Sequence, residues 1–322
     1  VIAFLFPGQG SQKVGMGREL VEAFPEARAV FDEADAALRP SDDPEIEVTP
    51  LSSLMFEGPE DELTLTEYAQ PAILTASIAA YRVLVARGVV PAFVAGHSLG
   101  EYSANVAAGT MAFTDAVRIV RRRGMYMQDA VPVGEGSMAA ILGLDAETVA
   151  RACEEAAEGE VVSPANINGG GQVVIAGSVA AVARAGARAK ALGAKRVIAL
   201  AVSAPFHCAL LKPAEERLAP ELRALHVRDP IVPIVANVDA EPKRDAAAAI
   251  EALVRQVSAP VRWDACIRRL ASEGVTTYVE VGPGTVLGGL VKKIHKDASV
   301  FSFAAPDDWA KLEATLARVP HE

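Results

Sequence analysis

A chain of 322 residues, 51% hydrophobic and 22% charged, holds enough apolar side chains for one large core or two unequal ones, which excludes a disordered polymer. Its formal charge of −10 argues against general binding to nucleic acid or to an anionic membrane. Three cysteines without a CxxC pair and five scattered histidines without HExxH point to free thiols in a reducing cytoplasm and to no metal site.

From the start of the chain, Ile2–Phe6 is a short apolar run with no basic flank, which reads as a first strand and not as a signal peptide; with no initiator Met, a few residues are expected ahead of Val1. No apolar run reads as long enough to cross a bilayer. The loop Pro7-Gly8-Gln9-Gly10-Ser11-Gln12 lacks the third Gly of a dinucleotide fingerprint and the Gly-Lys-Ser/Thr of a P-loop, so it suits presentation of backbone and a Gln side chain to a pocket. Surface turns are expected at Asp42-Asp43-Pro44 and Glu57-Gly58-Pro59. Leu74, Ile78, Tyr81 and Val85 recur at helical spacing after Pro71, which suits a first turn. Ala92–Gly96 is then an apolar strand, followed by Gly96-His97-Ser98-Leu99-Gly100 and a helical stretch. That is the setting of a nucleophile elbow: the turn exposes the Ser98 hydroxyl, the glycines let backbone approach, and the Leu99 N–H at the helix start can face an oxyanion. Arg121-Arg122-Arg123 lies on the next helix, where successive residues stand about 100° apart, so one or two at most face a pocket; the spacing does not choose among them.

From Gly136 to Val202 the order is strand Met138–Leu142, helix Ala146–Ala157, strands Val161–Ala165 and Val173–Ala176, helix Val179–Leu192, and strand Val197–Val202. This βαββαβ order predicts a ferredoxin-like unit, residues 131–202, inserted into a larger α/β domain formed by 1–130 and 203–322, in preference to one continuous sheet. Further strands are predicted at Ile231–Ala236, Thr277–Val281 and Val300–Phe303, with a helix whose buried stripe is Ile250, Leu253, Val254 and Val257. A serine nucleophile needs a base. His97 adjoins Ser98, but consecutive residues at a strand end face opposite ways; His207, His226, His295 and His321 remain, and His207 follows a predicted strand. No acid is marked as its partner: Asp115, Asp129 and Asp145 lie between Ser and His without a recognisable strand-end loop, and a backbone carbonyl can hold an imidazole instead.

Phe4–Gln12, Gly96–Tyr102, Arg123-Gly124 with Met127-Gln128, Pro205–Leu210, Val254–Val257 with Pro260–Trp263, and Glu280–Gly284 resemble, in order and over nearly the whole chain, the malonyl-CoA:acyl carrier protein transacylase family, which includes polyketide and fatty-acid synthase acyltransferase domains. The resemblance implies a hydrolase-like α/β large domain with a parallel-sheet core and the ferredoxin-like insert. It implies Ser98 as nucleophile, His207 as base, backbone N–H groups of Gln9 and Leu99 as oxyanion donors, and Arg123 as partner of the substrate carboxylate. It also implies a main-chain carbonyl at Gln256 in place of the triad acid, and Asn166 as a polar insert residue facing the cleft; Phe206, before the His, goes with malonyl units. The implied reaction is transfer of malonyl from malonyl-CoA to the phosphopantetheine thiol of an acyl carrier protein, with no cofactor and no metal, by a cytoplasmic monomer serving fatty-acid or polyketide synthesis. An esterase or thioesterase shares the elbow but predicts an acidic triad member and has no use for Arg123; a docking module without catalysis has no need of Ser98 and His207. Lys190, Lys195 and Arg196, with Lys292, Lys293 and Lys296, are candidates for a basic patch that meets the carrier protein.

Overall fold

β1 (Ile2–Phe6) is buried on both faces, as a strand that is apolar at every position must be. It lies in the middle of a sheet with β2 (Phe93–Gly96), β7 (Ile234–Val235), β8 (Pro242–Lys243), β9 (Thr277–Val281) and β10 (Ser299–Phe303), in the order β10-β9-β1-β2-β7-β8. All pairings are parallel except β7–β8. Phe4 and Phe6 enter one core with the helices Thr66–Ala86 and Phe113–Asp129; Ala3 and Leu5 enter a second with Trp263, Ile267, Leu270 and Leu290. The remaining strands, β3 (Gly136–Leu142), β4 (Val162–Gly169), β5 (Gln172–Ser178) and β6 (Arg196–Ala199), form a separate antiparallel sheet in the order β4-β5-β3-β6. It has its own core of Ile141, Val149, Val173, Ile175 and Val182 beneath the helices Ala146–Ala156 and Val179–Ala191. The fold is therefore mixed α/β, a parallel-sheet core plus a βαββαβ unit. This computed structural model describes residues 1–39, 49–202 and 204–316; Asp42-Asp43-Pro44, Ser203 and His321 lie outside the described residues.

Register places the site. Phe6 pairs with Gly96, so the loop after β1 and the turn after β2 leave the sheet side by side at its carboxyl end, where open α/β sheets bind ligands. The second sheet closes over that end. Asn166 on β4 bridges to Val261, Ile167 N–H donates to Val261 O at 2.8 Å, and Val261 N–H donates to Ala165 O at 2.8 Å.

Several expectations change. Ile231–Ala236 contributes only Ile234 and Val235 to a ladder: Ile231 donates its N–H to Ala108 O and exposes 78% of its surface, and Pro233 has no N–H to give. Val197–Val202 shrinks to β6, in the small sheet, and Leu200, Ala201 and Val202 turn into the cleft wall. Pro71 lies inside the helix Thr66–Ala86, not in its first turn, and that helix is buried nearly all round, with Val85 alone of the predicted stripe turned outward. Its 21 residues include an 18-residue stretch of mean hydropathy 1.3, long and apolar enough to cross a bilayer, contrary to expectation; 78% of that stretch is buried inside the protein, as in a central core helix.

Candidate active site

The turn between β2 and the helix Gly100–Ala107 is as tight as the sequence suggests. A Cβ on Gly96 would lie 1.9 Å from the Gly100 carbonyl, and one on Gly100 would lie 2.0 Å from Phe6 O, so neither position tolerates a side chain. Between them Ser98 is held at φ 51, a left-handed conformation unusual for Ser. His207 has φ 59 in its own loop, the second side chain of the pair under backbone strain. Ser98 Oγ–H donates to His207 Nε2 at 2.6 Å, and His207 Nδ1–H donates to the main-chain oxygen of Gln256 at 2.9 Å. A carbonyl only accepts, so it fixes the tautomer: Nδ1 carries the proton and Nε2 is free to take one. Burial, reinforced by the nearby Arg123 charge, pushes His207 down to about 3, so the ring is neutral at pH 7.

Arg123 points inward from the helix Phe113–Asp129 and is 2% exposed. It donates to Gln70 Oε1 at 2.7 Å, Gln256 Oε1 at 3.0 Å and Ser98 Oγ at 3.1 Å, and its guanidinium lies 5.3 Å over the Tyr102 ring. Every one of those acceptors is neutral, and its Nε has no acceptor among the described residues. Arg122 instead pairs with Glu221 at 2.6 Å, and Arg121 lies over Tyr68, so the helix itself chooses among the three arginines. Gln9 lines the same cleft as Ser98 and Leu99 caps the helix that follows it, and neither backbone N–H has an acceptor among the described residues. Thr66 Oγ1–H donates to Gln9 Oε1 at 2.7 Å, which ties the first loop to the helix below.

The cleft encloses about 360 Å³ and is lined by Gln9, His97, Ser98, Arg123, Asn166 and Phe206 among others, with Met138 from the small sheet and Leu200 just past its last strand. Asn166 lines it, and its Oδ1 has no partner among the described residues. His97 does not approach the Ser98 hydroxyl: its Nε2 meets Asn168 Oδ1 at 2.9 Å, and its ring packs 5.5 Å from Trp263. Of the other histidines, His226 is exposed and His295 meets Tyr278 Oη. Asp129 pairs with Arg217 and Asp145 caps the helix Ala146–Ala156, so neither is near His207. Among the described residues no cluster of three or more His, Cys, Asp or Glu is placed to hold a metal.

Sequence reasoning gave no role to Glu101, Asn237, Gln70 and Asn168. Asn237 Oδ1 accepts the Ser98 N–H at 2.8 Å, and its amide donates to Gly96 O at 2.8 Å, which clamps the elbow from below. Its position after a predicted strand was the available signal.

Residues 3–307 match the family model of the acyl transferase domain. The chain is 50% identical over 307 residues to the malonyl CoA-acyl carrier protein transacylase of Bacillus subtilis, covering 95% of this chain and 94% of that one. Its structure is similar, with TM-score 0.92 and 44% identity over 97% of this chain and 99% of the other, to an acyl carrier protein S-malonyltransferase from Vibrio cholerae. It is equally similar, at TM-score 0.92 and 45% identity over 98% and 99%, to a malonyl-transacylase in complex with its holo type II PKS acyl-carrier protein.

Proposed function

The chain belongs to the acyl transferase domain family, and on that premise we propose that it carries malonyl from malonyl-CoA to the phosphopantetheine thiol of an acyl carrier protein, through an ester on Ser98. The observation that carries this reading is Arg123: a buried guanidinium 3.1 Å from the Ser98 hydroxyl, with only neutral acceptors, is a site for an acyl group that ends in a carboxylate.

The residues then divide the work. His207 Nε2 takes the Ser98 proton as Oγ attacks the thioester carbon. The oxyanion that forms is held by the backbone N–H groups of Leu99 and Gln9, and the thiol of coenzyme A leaves with the proton from His207. The carrier-protein thiol enters the same cleft and reverses the sequence, a ping-pong cycle. The Gln256 carbonyl orients the imidazole where a hydrolase would use an acid. Arg123 holds the malonyl carboxylate in a planar, two-pronged contact that Lys would not reproduce. Phe206 and Asn166 shape the wall on which the acyl chain and pantetheine lie. A thioester–ester–thioester exchange needs neither a redox cofactor nor a metal. The enzyme works as a cytoplasmic monomer in fatty-acid or polyketide synthesis. An esterase reading has no use for Arg123.

Incubation with malonyl-CoA and no acceptor leaves a malonyl adduct on the peptide that contains Ser98, read by mass spectrometry, and Ser98→Ala abolishes it. An unmodified peptide under conditions where transfer proceeds rules out the covalent route.

A further inference from the structure

Beneath the elbow lies a carboxyl group that the transfer chemistry leaves unused. Glu101 is 1% exposed on the helix Gly100–Ala107. Its two oxygens are not equivalent. Oε2 accepts from the Asn237 N–H at 3.0 Å and from Gln256 Nε2 at 2.7 Å, while Oε1 has no partner among the described residues. The other end of the same Gln256 amide, Oε1, accepts from Arg123 at 3.0 Å. One neutral amide thus stands between a buried anion and a buried cation. A primary amide has the same shape in both orientations, and here the charges choose: reversed, its oxygen would face the carboxylate and its N–H groups the guanidinium.

We propose that Glu101 is a positioning residue for malonyl transfer: acting through Gln256, it balances the Arg123 charge in the empty site, and it takes up a proton from solvent when the malonyl carboxylate docks on Arg123. This rests on the malonyl-transfer reading. A malonyl carboxylate on the guanidinium, with Glu101 one amide away, leaves two anions for one cation in a site shielded from water, so one anion must be neutralised. The substrate group cannot yield without losing its contact. Glu101 can, because the proton goes to the vacant Oε1 while Oε2 keeps both of its hydrogen bonds, so the arrangement of Gln256 and Asn237 survives the change of charge.

The groups around Glu101 leave it as the one that titrates near neutrality. Burial raises it to about 7, against the hydrogen bonds from Asn237 and Gln256. On its own helix, burial pushes Tyr102 up to about 12. From the helix Trp263–Ser272, burial holds Cys266 well above the ordinary thiol value. On the loop after β7, burial raises Asp239, but the hydrogen bonds from Lys243, the Glu241 backbone and Arg255, with the Lys243 charge, together outweigh it and keep it low. His207, at about 3, stays neutral, and Arg123, although lowered by burial, remains the local cation.

The test uses the full chain with Ser98→Ala, so that malonyl-CoA binds without reacting. Its affinity is measured by calorimetry from pH 6.5 to 8.5, with coenzyme A as the control that shares every phosphate. Coupling to proton uptake requires the malonyl-CoA affinity to fall, relative to coenzyme A, by about tenfold per pH unit above the pKa of Glu101, and requires proton uptake seen in buffers of different ionisation enthalpy. Ser98→Ala/Glu101→Gln, which keeps the shape and removes the charge, should bind malonyl-CoA with no such slope and no uptake. A flat profile in Ser98→Ala overturns the inference even if the double variant fails to fold, and so does an equal slope in both variants. Should Ser98→Ala bind malonyl-CoA no better than coenzyme A at any pH while a Ser98 adduct forms in the unmodified protein, Glu101 is again excluded. Absence of both binding and adduct overturns malonyl transfer itself.

Discussion

Arg123, among three consecutive arginines, is the residue on which the proposed choice of substrate turns. Malonyl and acetyl differ by one carboxylate, so discrimination needs a cation inside the cleft, and leaving that cation unpaired penalises acetyl. Removing one member of a buried, hydrogen-bonded charge pair costs roughly 2–5 kcal/mol, so Arg123→Ala should lower kcat/KM for malonyl-CoA by roughly 10²–10³-fold while acetyl-CoA loses little or gains. Arg121→Ala and Arg122→Ala are the controls, since one lies over Tyr68 and the other pairs with Glu221 outside the cleft. Equal losses for both thioesters in Arg123→Ala would remove its assignment. The two histidines offer a parallel contrast. His207 bonds the Ser98 hydroxyl and His97 bonds Asn168. In a burst experiment His207→Ala should slow acylation by about 10²–10⁴-fold and His97→Ala far less. Because burial first, then the Arg123 charge, holds His207 near 3, the base is ready throughout neutral pH. The acid limb of kcat/KM should therefore lie well below the ordinary imidazole value of about 6.5. A limb at that ordinary value would mean a solvated base.

At the scale of elements, glycines set how closely helices approach. A Cβ on Gly124 would stand 2.6 Å from Thr66 O, so the helices Thr66–Ala86 and Phe113–Asp129 meet backbone to backbone one residue away from Arg123. Gly124→Ala must push them apart, and we expect a loss of about 1–3 kcal/mol in chemical denaturation together with reduced use of malonyl-CoA. Gly289 sits exposed in the helix Val286–Ile294 with nothing within 4 Å of its would-be Cβ, so Gly289→Ala should stabilise by up to about 1 kcal/mol with activity unchanged. The two substitutions moving stability in the same direction would contradict these contacts. Elements of this kind differ in how far sequence reveals them. β1 was legible because a strand buried on both faces has to be apolar throughout. Ile231 and Val202 are as apolar as any strand residue, yet apolarity does not say where a backbone N–H goes, and theirs go to Ala108 and Leu200. The elbow was legible because its glycines are sterically forced. Glu101 was not, because what makes it matter is Gln256, 155 positions later, and no local pattern carries a contact of that separation.

At the scale of the whole molecule, a net charge of −10 would repel an acidic carrier protein unless positive charge is gathered in one place. The fold does gather some. Lys195 packs against Gly143 and Lys293 against Gly170, and the Gly143 N–H donates to Gly171 O at 2.7 Å, so the last strand of the small sheet and the helix Val286–Ile294 flank one turn, Gly169–Gly171. Lys190, Lys195, Arg196, Lys292, Lys293 and Lys296 are all exposed, and among the described residues none forms an ion pair. Exposed charges act over about 8–10 Å at ordinary ionic strength, so attraction by such a patch fades as salt is added. The KM for carrier protein should rise with salt, whereas transfer to free pantetheine, a thiol without charge, should change little. Lys195→Glu/Lys293→Glu should raise the carrier-protein KM by about tenfold at low salt and leave kcat and the pantetheine rate in place, because neither side chain lines the cleft. A carrier-protein KM indifferent to both salt and charge reversal would show that these lysines are dispersed, solvated residues and that docking rests on another face.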